Sequence, residues 1–502
     1  MRFSALGHTL ILCMVCIAGC DQTIRDADMA RAVLQQRKQQ LADVFMPCPR
    51  NSTTVMASLV SASQCLVFEV PENPALPQGK QLQLQVMVVP AVRPLAEPDP
   101  LVVLVGGPGQ AATVDAVPLL PVFERIRRSR DILLVDQRGT GKLSPFACDF
   151  GEDDEALVDA SSELLLAIRN ELLQRCLDSI DADPRYYTTD LAVQDLDAIR
   201  EFLGYSRLNL WGGSYGSRVA LAYLKYKPDQ VRTVTIDGVA PPGILPLEAA
   251  IDAERALDQV LALCNEQADC ANAFPQLRVH YNELIERFSL EQTVSFTDMQ
   301  TGVVREVPLS ADGIQSMLFL LLYSRETARL IPLIVEALYS GNYQILAGLD
   351  GASGELDIGM HYSVICSEDL PLLNEDQLND NLFAGDMLVR ARIEGCDIWP
   401  SRQLDETFFA PVVSDKPVLI FSGSQDPVTP RRWGDSVAAT LANALHVEVS
   451  GIGHIVSAYG CAPSLIAQLV EEGSVASLDV SCLQDLDTRP FFLTGNGSAA
   501  DD

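Results

Sequence analysis

The stretch Gly212-Gly213-Ser214-Tyr215-Gly216 decides the fold, because it has the pattern G-x-S-x-G and lies between two periodic segments. The apolar run Leu208–Trp211 predicts a strand, and Tyr215–Lys225 predicts a helix. A sharp turn from strand to helix lifts a serine hydroxyl above a sheet, and glycines two positions to either side leave room for that turn. The chain has no other full match to this pattern. We therefore predict that Ser214 is a nucleophile at a strand end of an α/β fold.

A serine nucleophile needs a base, and His454 is the candidate. It lies in a glycine-containing loop, residues 451–454, after a strand pattern that ends at Val449, where an imidazole can reach the serine. The order Ser…Asp…His requires an acid before it, and Asp426 comes just after the apolar run Val418–Phe421. Its carboxylate would orient the imidazole and stabilise the imidazolium formed in the reaction. The other histidines beyond residue 20 lie in a helical pattern, in an inserted segment and in a strand, and are His280, His361 and His446.

Acyl transfer also needs backbone N–H donors for the oxyanion. The N–H of Tyr215, directly after the nucleophile, is one candidate. The early loop Gly106-Gly107-Pro108-Gly109 follows the core-like run Leu101–Val105, and we expect the second donor to come from this loop. The alternative is that this loop is a simple tight turn.

Short continuous apolar runs, such as Leu101–Val105 and Ile132–Val135, are typical of strands buried on both faces of a parallel sheet. They alternate with helical patterns such as Val193–Phe202, which predicts the α/β class. Between Pro242 and Pro417 no comparable strand run recurs, and helical patterns dominate. The division we predict is a signal at 1–20, the first part of the core at 21–242, a largely helical cap at 243–405, the second part of the core at 406–490, and a loose polar tail at 491–502.

The first residues have the layout of an export signal. Arg2 is followed by the apolar run Leu10–Ile17 and then by Ala18-Gly19-Cys20, which resembles a bacterial lipobox. The resemblance implies that Cys20 is lipidated and anchors the chain to a membrane of the cell envelope, facing the periplasm. The alternative is an ordinary secretory signal cleaved nearby. Asp21 resembles an inner-membrane retention signal, but that rule varies between bacteria, so the choice of membrane stays open.

The cysteines agree with export. Of 13 cysteines, two lie in the signal and Cys20 is the expected lipid site, which leaves ten. An even number in an oxidising compartment indicates disulfides, with buried free thiols as the alternative. The only C-x-x-C lies inside the signal, so we predict no metal site. Sequence alone allows many pairings; the one with least loop closure joins neighbours, as Cys48–Cys65, Cys148–Cys176, Cys264–Cys270, Cys366–Cys396 and Cys461–Cys482.

Charge and composition exclude two classes of protein. Lys and Arg total 36 and Asp and Glu total 67, for a formal net charge of −31. A nucleic-acid binder needs a cationic surface, so this balance argues against one. Hydrophobic residues make up 48% of the chain, which is typical of a packed globular protein and not of a disordered one.

Several motifs together resemble the proline iminopeptidase and tripeptidyl aminopeptidase family of α/β-hydrolases. The resemblance implies an α/β-hydrolase fold with an inserted cap, Ser214, Asp426 and His454 as the catalytic triad, and Gly107 and Tyr215 as oxyanion donors. Val105 stands where proline iminopeptidases usually carry His, which favours the tripeptidyl-type branch. The motifs that carry the resemblance are Gly106-Gly-Pro-Gly109, Asp136-Gln-Arg-Gly-Thr-Gly141, Gly212-Gly-Ser-Tyr-Gly216, Asp426-Pro-Val-Thr-Pro430 and Gly453-His454.

The cap segment Val364–Asp369 is similar to the cysteine-and-acid motif of that branch. The resembled family places carboxylates in its cap to hold the α-amino group of a peptide, so Glu368 and Asp369 are candidate substrate-binding residues. The alternative is that both acids lie on a solvated face.

We therefore expect a lipid-anchored serine hydrolase without a cofactor, which releases residues or short peptides from peptide N-termini. The first alternative is a carboxylesterase with the same triad. A binding lipoprotein without activity is the second, and the three triad positions in the right order argue against it. Whether the protein forms oligomers is not predicted.

Overall fold

A computed structural model describes most of the chain. The predicted signal with Cys20, the cysteine Cys148 and the last residues of the predicted tail lie outside the described residues. The described ranges are 28–48, 57–144, 146, 162–243, 246–299, 301–348, 356–373, 382–484, 486, 489–495 and 497.

In the part of the chain that the structure describes, nine strands form one sheet in the order β1-β2-β3-β5-β4-β6-β7-β10-β11, and β8 pairs with β9 in a separate hairpin. The strands from β5 to β11 in that order pair in parallel, whereas β1, β2 and β3 form an antiparallel edge. The strands are β1 Met46–Pro47, β2 Gln64–Pro71, β3 Gln81–Val89, β4 Leu101–Leu104, β5 Ile132–Val135, β6 Leu208–Gly213, β7 Val231–Asp237, β8 Gln292–Thr297, β9 Val304–Leu309, β10 Ser414–Gly423 and β11 Leu441–Val449.

Helices cover the sheet and make up most of the segment between β7 and β10. They are α1 at 28–40, α2 Ala57–Ala62, α3 Ala112–Asp115, α4 Glu124–Arg127, α5 Ser162–Ser179, α6 Thr189–Leu203, α7 Tyr215–Tyr226, α8 Pro246–Glu266, α9 Ala268–Ala273, α10 Leu277–Arg287, α11 Ala311–Leu322, α12 Arg325–Ala328, α13 Ile331–Tyr339, α14 Ile358–Val364, α15 Ala391–Ile398, α16 Glu406–Phe409, α17 Arg431–Ala438 and α18 Ala462–Glu472. None of the described helices is both long and apolar enough to cross a membrane.

The apolar runs are buried on both faces, as predicted for a parallel sheet. All four residues of β4 are buried, and neighbours along the strand point to opposite sides. Val102 joins the apolar cluster under α6 and α7, whereas Val103 joins the cluster under α18. Burying such a side chain contributes about 1.5–3 kcal/mol, so the continuous runs stabilise the sheet from two layers at once.

A third apolar cluster lies outside the sheet, in the segment between β7 and β10. It is built from α8 and from α10 to α13, and it includes the β8–β9 hairpin. The described residues of this cap segment include the π-helical turns Ile365–Asp369 and Asp386–Arg390. Turns of this kind occur often at functional sites.

Four of the five predicted disulfides are present in the structure. They join Cys48 to Cys65, Cys264 to Cys270, Cys366 to Cys396 and Cys461 to Cys482. Cys176 is also in a disulfide. Its predicted partner Cys148 is outside the described residues, so that pairing remains a prediction.

Candidate functional site

Ser214 lies in a strained turn between β6 and α7, as the G-x-S-x-G pattern predicts. Its backbone has φ 56° and ψ −129°, a region that a residue with a side chain rarely adopts. The flanking glycines make the turn possible, because a Cβ on Gly212 would lie 2.2 Å from the carbonyl oxygen of Gly216. A Cβ on Gly216 would lie 2.0 Å from the carbonyl oxygen of Leu104. Strain of this kind is characteristic of functional positions.

Asp426 and His454 form a hydrogen-bonded pair. Asp426 follows β10, and its Oδ2 lies 2.8 Å from Nδ1 of His454. Asp426 is fully buried, and its Oδ1 accepts the backbone N–H of Val428 at 2.9 Å and of Thr429 at 2.8 Å. Burial alone would raise the pKa of Asp426, but the charge and hydrogen bond of His454 hold it below its ordinary value. Burial likewise opposes the charged form of His454, but Asp426 outweighs it and raises the pKa of that imidazole.

Thr429 contacts both members of this pair, and it was not predicted from the sequence. Its hydroxyl donates to Oδ2 of Asp426 at 2.7 Å and lies 3.0 Å from Nδ1 of His454. The spacing Asp-x-x-Thr is a signal that could have found it, because an aspartate at a turn often binds the backbone two or three residues on. The hydroxyl fixes the orientation of both partners.

The Ser214 turn and the His454 loop are neighbours. Ile455, which follows His454, packs on Gly213, where an added Cβ would lie 3.1 Å from Cδ1 of Ile455. Ile455 has φ 72°, which is an outlier for a β-branched residue. The backbone is therefore strained on both sides of the proposed reaction, at the serine and beside the histidine.

The two predicted oxyanion donors line the same cavity as Ser214. Gly107 has φ +104°, a conformation that favours glycine, and Tyr215 begins α7. The loop is held from within, because the N–H of Gly106 donates to Oε1 of Gln110 at 2.9 Å. The loop after β4 is thus held in a fixed conformation beside Ser214.

The cavity at Ser214 has a volume of about 120 Å³ and lies between the sheet and the cap segment. Its charged and titratable lining groups are Arg218, His361, Asp369 and Arg392, together with the rings of Tyr215 and Tyr323. Within the described ranges, no three His, Cys, Asp or Glu side chains are grouped so that they could hold a metal ion.

Glu368 and Asp369 do not lie on a solvated face, so that alternative is wrong: their exposed fractions are 0% and 4%. Both pair with Arg218, which lies one helical turn after Ser214 on α7. Arg218 Nη2 donates to Oδ1 of Asp369 at 2.8 Å, and Nη1 donates to Oε2 of Glu368 at 3.1 Å. Asp369 lines the cavity.

Glu368 lies behind Arg218, where Thr189 donates to it from the backbone N–H at 2.7 Å and from the hydroxyl at 2.8 Å. Burial raises the pKa of Glu368 to about 7, although the charge of Arg218 opposes the shift. Glu368 is therefore an internal member of the cluster, and Asp369 is the member at the cavity wall.

Two further lining residues, His361 and Arg392, were not singled out from the sequence. Nδ1 of His361 lies 3.2 Å from the carbonyl oxygen of Pro108, which makes Nδ1 the donor. Burial lowers the pKa of His361 to about 3, and the positive charges of Arg392 and Arg169 lower it as well. The imidazole is therefore neutral. No local signal marked either residue, because the contacts depend on how the cap packs on the sheet.

Comparison with known proteins places this arrangement in a family. Residues 99–460 match the family model described as alpha/beta hydrolase fold, which is well over half of the chain. Serine protease Hip1 of Mycobacterium tuberculosis is 27% identical over 281 residues, 54% of this chain and 52% of its own length. The chain thus spans about half the length of this relative.

Two aminopeptidases match over shorter stretches. Tripeptidyl aminopeptidase of Streptomyces coelicolor is 28% identical over 191 residues, 36% of this chain and 35% of its own length. Proline iminopeptidase of Neisseria gonorrhoeae is 28% identical over 142 residues, 28% of this chain and 32% of its own length.

Proposed function

Because this chain belongs to the α/β-hydrolase fold family, we propose that it is a serine hydrolase that releases residues or short peptides from peptide N-termini. The observation that carries the proposal is the 2.8 Å contact between Nδ1 of His454 and Oδ2 of Asp426, in a loop next to the strained Ser214. This is the pair that a serine nucleophile needs for activation.

In the proposed reaction, Oγ of Ser214 attacks the carbonyl carbon of the scissile bond while Nε2 of His454 takes its proton. The N–H groups of Gly107 and Tyr215 stabilise the oxyanion. His454 then gives the proton to the leaving amine, which departs and leaves an acyl-enzyme ester. Water, deprotonated by His454, hydrolyses that ester and restores Ser214. Asp426 stays ionised and stabilises the imidazolium.

The aminopeptidase assignment rests on the cavity and on the relatives. An α-ammonium group in a partly desolvated cavity needs a carboxylate partner. Of the two acids predicted for this task, we assign it to Asp369, because Asp369 lines the cavity and a carboxylate oxygen can accept more than one hydrogen bond. Glu368 would hold Arg218 from behind. Relatives named serine protease and tripeptidyl aminopeptidase support a peptide substrate.

We propose that the enzyme works outside the cytoplasm, anchored through a lipid on Cys20. The disulfides favour an oxidising compartment, because cytosolic thiols are kept reduced. The lipobox-like run before Cys20 supports the anchor. Labelling of intact cells with a lipid precursor would test it: incorporation that is lost in Cys20→Ala supports the anchor, and unchanged incorporation contradicts it.

The test of the function has two steps. A fluorophosphonate should label Ser214 in the wild type and leave Ser214→Ala unlabelled, and kcat should fall in that variant by several orders of magnitude with the fold intact. An adduct on another serine would contradict the assignment.

A panel of free-amine peptide amides and short acyl esters then separates the activities. The aminopeptidase proposal expects cleavage of the amides, with loss of cleavage when the amine is acetylated. Activity on esters alone would identify a carboxylesterase. Absence of both labelling and turnover would identify a binding protein.

A further inference from the structure

Arg392 is a cation in the wall of the Ser214 cavity, and its hydrogen bonds leave most of its guanidinium free. It is the second residue of α15, and its side chain is partly buried. Among the described residues, only Nη1 has hydrogen-bond partners: it donates to the backbone carbonyls of Met387 at 2.9 Å and Leu388 at 2.8 Å. Across the part of the chain that the structure describes, no carboxylate lies within ion-pair distance of Arg392.

The surroundings of Arg392 add positive charge. Burial lowers the pKa of Arg392 most, and the charge of Arg169, whose guanidinium lies over the ring of Tyr362, lowers it further. The charge of Asp369 acts in the opposite sense but is outweighed. Arg392 and Arg169 also act on His361, which stays neutral at the same cavity. A guanidinium keeps its charge even so. Arg392 and Arg169 therefore place two positive charges near His361, in a chain whose net charge is −31.

Arg218 differs from Arg392 in having carboxylate partners. Arg218 lines the same cavity and has two carboxylates, Glu368 at 3.1 Å and Asp369 at 2.8 Å. A partly buried charge is unfavourable unless it is paired, and the planar fork of Arg fits a carboxylate. The partner of Arg392 is then expected to arrive with the substrate.

From this juxtaposition we infer that Arg392 is a specificity residue that binds a carboxylate of the substrate, the side chain of a Glu or Asp on the N-terminal side of the scissile bond. The cavity lies beneath the cap. This inference rests on the proposed function, in which the part of the peptide that carries the amine binds in this cavity. A peptide with an acidic residue near its N-terminus would place its amine at Asp369 and its side-chain carboxylate at Arg392.

The test uses fluorogenic peptide amides in matched pairs, with Glu or Gln at each position before the leaving group. For at least one position, the wild type should cleave the Glu peptide with kcat/KM about 10-fold or more above the Gln peptide, as expected for one charge-assisted pair. In Arg392→Gln that ratio should fall to about one, and Arg392→Lys should keep part of it. The ratio is taken within each variant, so a general loss of activity or of folded protein cancels.

Arg390→Gln is the matched control, because Arg390 is 47% exposed and pairs with Glu394 outside the cavity. It removes the same charge from the protein and should keep the wild-type ratio. Equal rates on Glu and Gln peptides in the wild type, or a preference that survives Arg392→Gln, would overturn the inference. A preference only for acids on the leaving-group side would overturn it as well.

Failure of the proposed function has a different signature. If no peptide is cleaved but esters are, the same comparison is made with a monoester of glutaric acid and the matching ester of its amide. A preference for the acid that depends on Arg392 would support the carboxylate site without the peptidase activity. No preference there would reject the site.

Discussion

The backbone carbonyl of Asp237 accepts a hydrogen bond from the amide of Ser214 at 2.9 Å. The side chain of the same residue holds the loop that follows His454: it accepts the N–H of Val456 at 2.9 Å and the N–H of Ser457 at 2.6 Å. One buried residue at the end of β7 therefore holds both the proposed nucleophile and the loop that follows the proposed base. Asp237 touches neither reacting atom, so we regard it as a positioning residue.

The first prediction concerns Asp237→Asn. The N–H of Val456 lies 2.9 Å from both carboxylate oxygens of Asp237, so in either orientation the NH₂ group of the amide would face this N–H as a second donor. We expect this clash of buried donors to lower the free energy of unfolding by about 1–3 kcal/mol. We also expect kcat to fall with little change in KM, because the loop carries the base and not the substrate. Urea unfolding and steady-state kinetics measure both effects. Asp229→Asn, at an exposed acid just before β7, is the control and should change neither.

The second prediction concerns pH. The reaction needs neutral His454, and Asp426 raises the pKa of this imidazole above its ordinary value of 6.5. On a neutral substrate, kcat/KM should therefore fall as the pH drops, with a midpoint above 6.5. In Asp426→Asn, kcat should fall by about 10⁴, and the remaining activity should titrate at lower pH.

The chain offers a matched control for this pH profile. Asp435 pairs with Nδ1 of His446 at 2.9 Å, away from the cavity, in the same kind of contact. Asp435→Asn should leave the profile unchanged. A midpoint at or below 6.5 in the wild type would contradict the proposed role of Asp426.

The third prediction separates the two cap acids. In Asp369→Asn, kcat/KM for free-amine peptides should fall, relative to a small neutral ester, by about 2–5 kcal/mol, the range for a charge left unpaired. In Glu368→Gln the relative loss should be smaller, because Glu368 does not line the cavity. Both variants disturb the pair with Arg218 and will lower stability, so only the ratio of the two substrates is informative. Equal ratios in both variants and the wild type would leave the amine to another group.

The fourth prediction concerns the disulfides. Closing a longer loop restricts the unfolded chain more, so the bond across 30 residues should stabilise more than the bond across six. We expect a loss of about 4 kcal/mol for the double variant Cys366→Ala, Cys396→Ala and about 2 kcal/mol for Cys264→Ala, Cys270→Ala. Unfolding by urea compares them, and non-reducing peptide mapping of the wild type tests the pairs, including Cys148 with Cys176. Equal losses would contradict the loop-length argument.

The residues that sequence reasoning found are those fixed by local geometry. The Ser214 turn needs glycines within two positions, and the strands before Ser214 and Asp426 are continuous apolar runs, so each is visible within a short window. Asp426 and His454 follow neighbouring strands of a parallel sheet, which brings the carboxyl ends of its strands to one edge.

The rest of the site depends on packing across the chain. Arg218 and Asp369 are 151 positions apart, and no periodicity in the cap indicates which of its acids meets that guanidinium. The same holds for Arg392, whose significance comes from the lack of a paired carboxylate among the described residues and not from its own neighbours in sequence. The burial of Glu368 behind Arg218 is likewise a product of the cap meeting α7.

The disulfide between Cys366 and Cys396 joins the two cap segments that carry Asp369 and Arg392. The proposed triad lies on loops of the sheet, outside this crosslink, so the groups proposed to select a substrate and the groups proposed to cleave it are held by different parts of the fold. A reductant that breaks this disulfide would let the segments of Asp369 and Arg392 move apart while the proposed triad keeps its geometry. We therefore expect reduction of this disulfide to lower the proposed preference among substrates before it lowers the rate of cleavage.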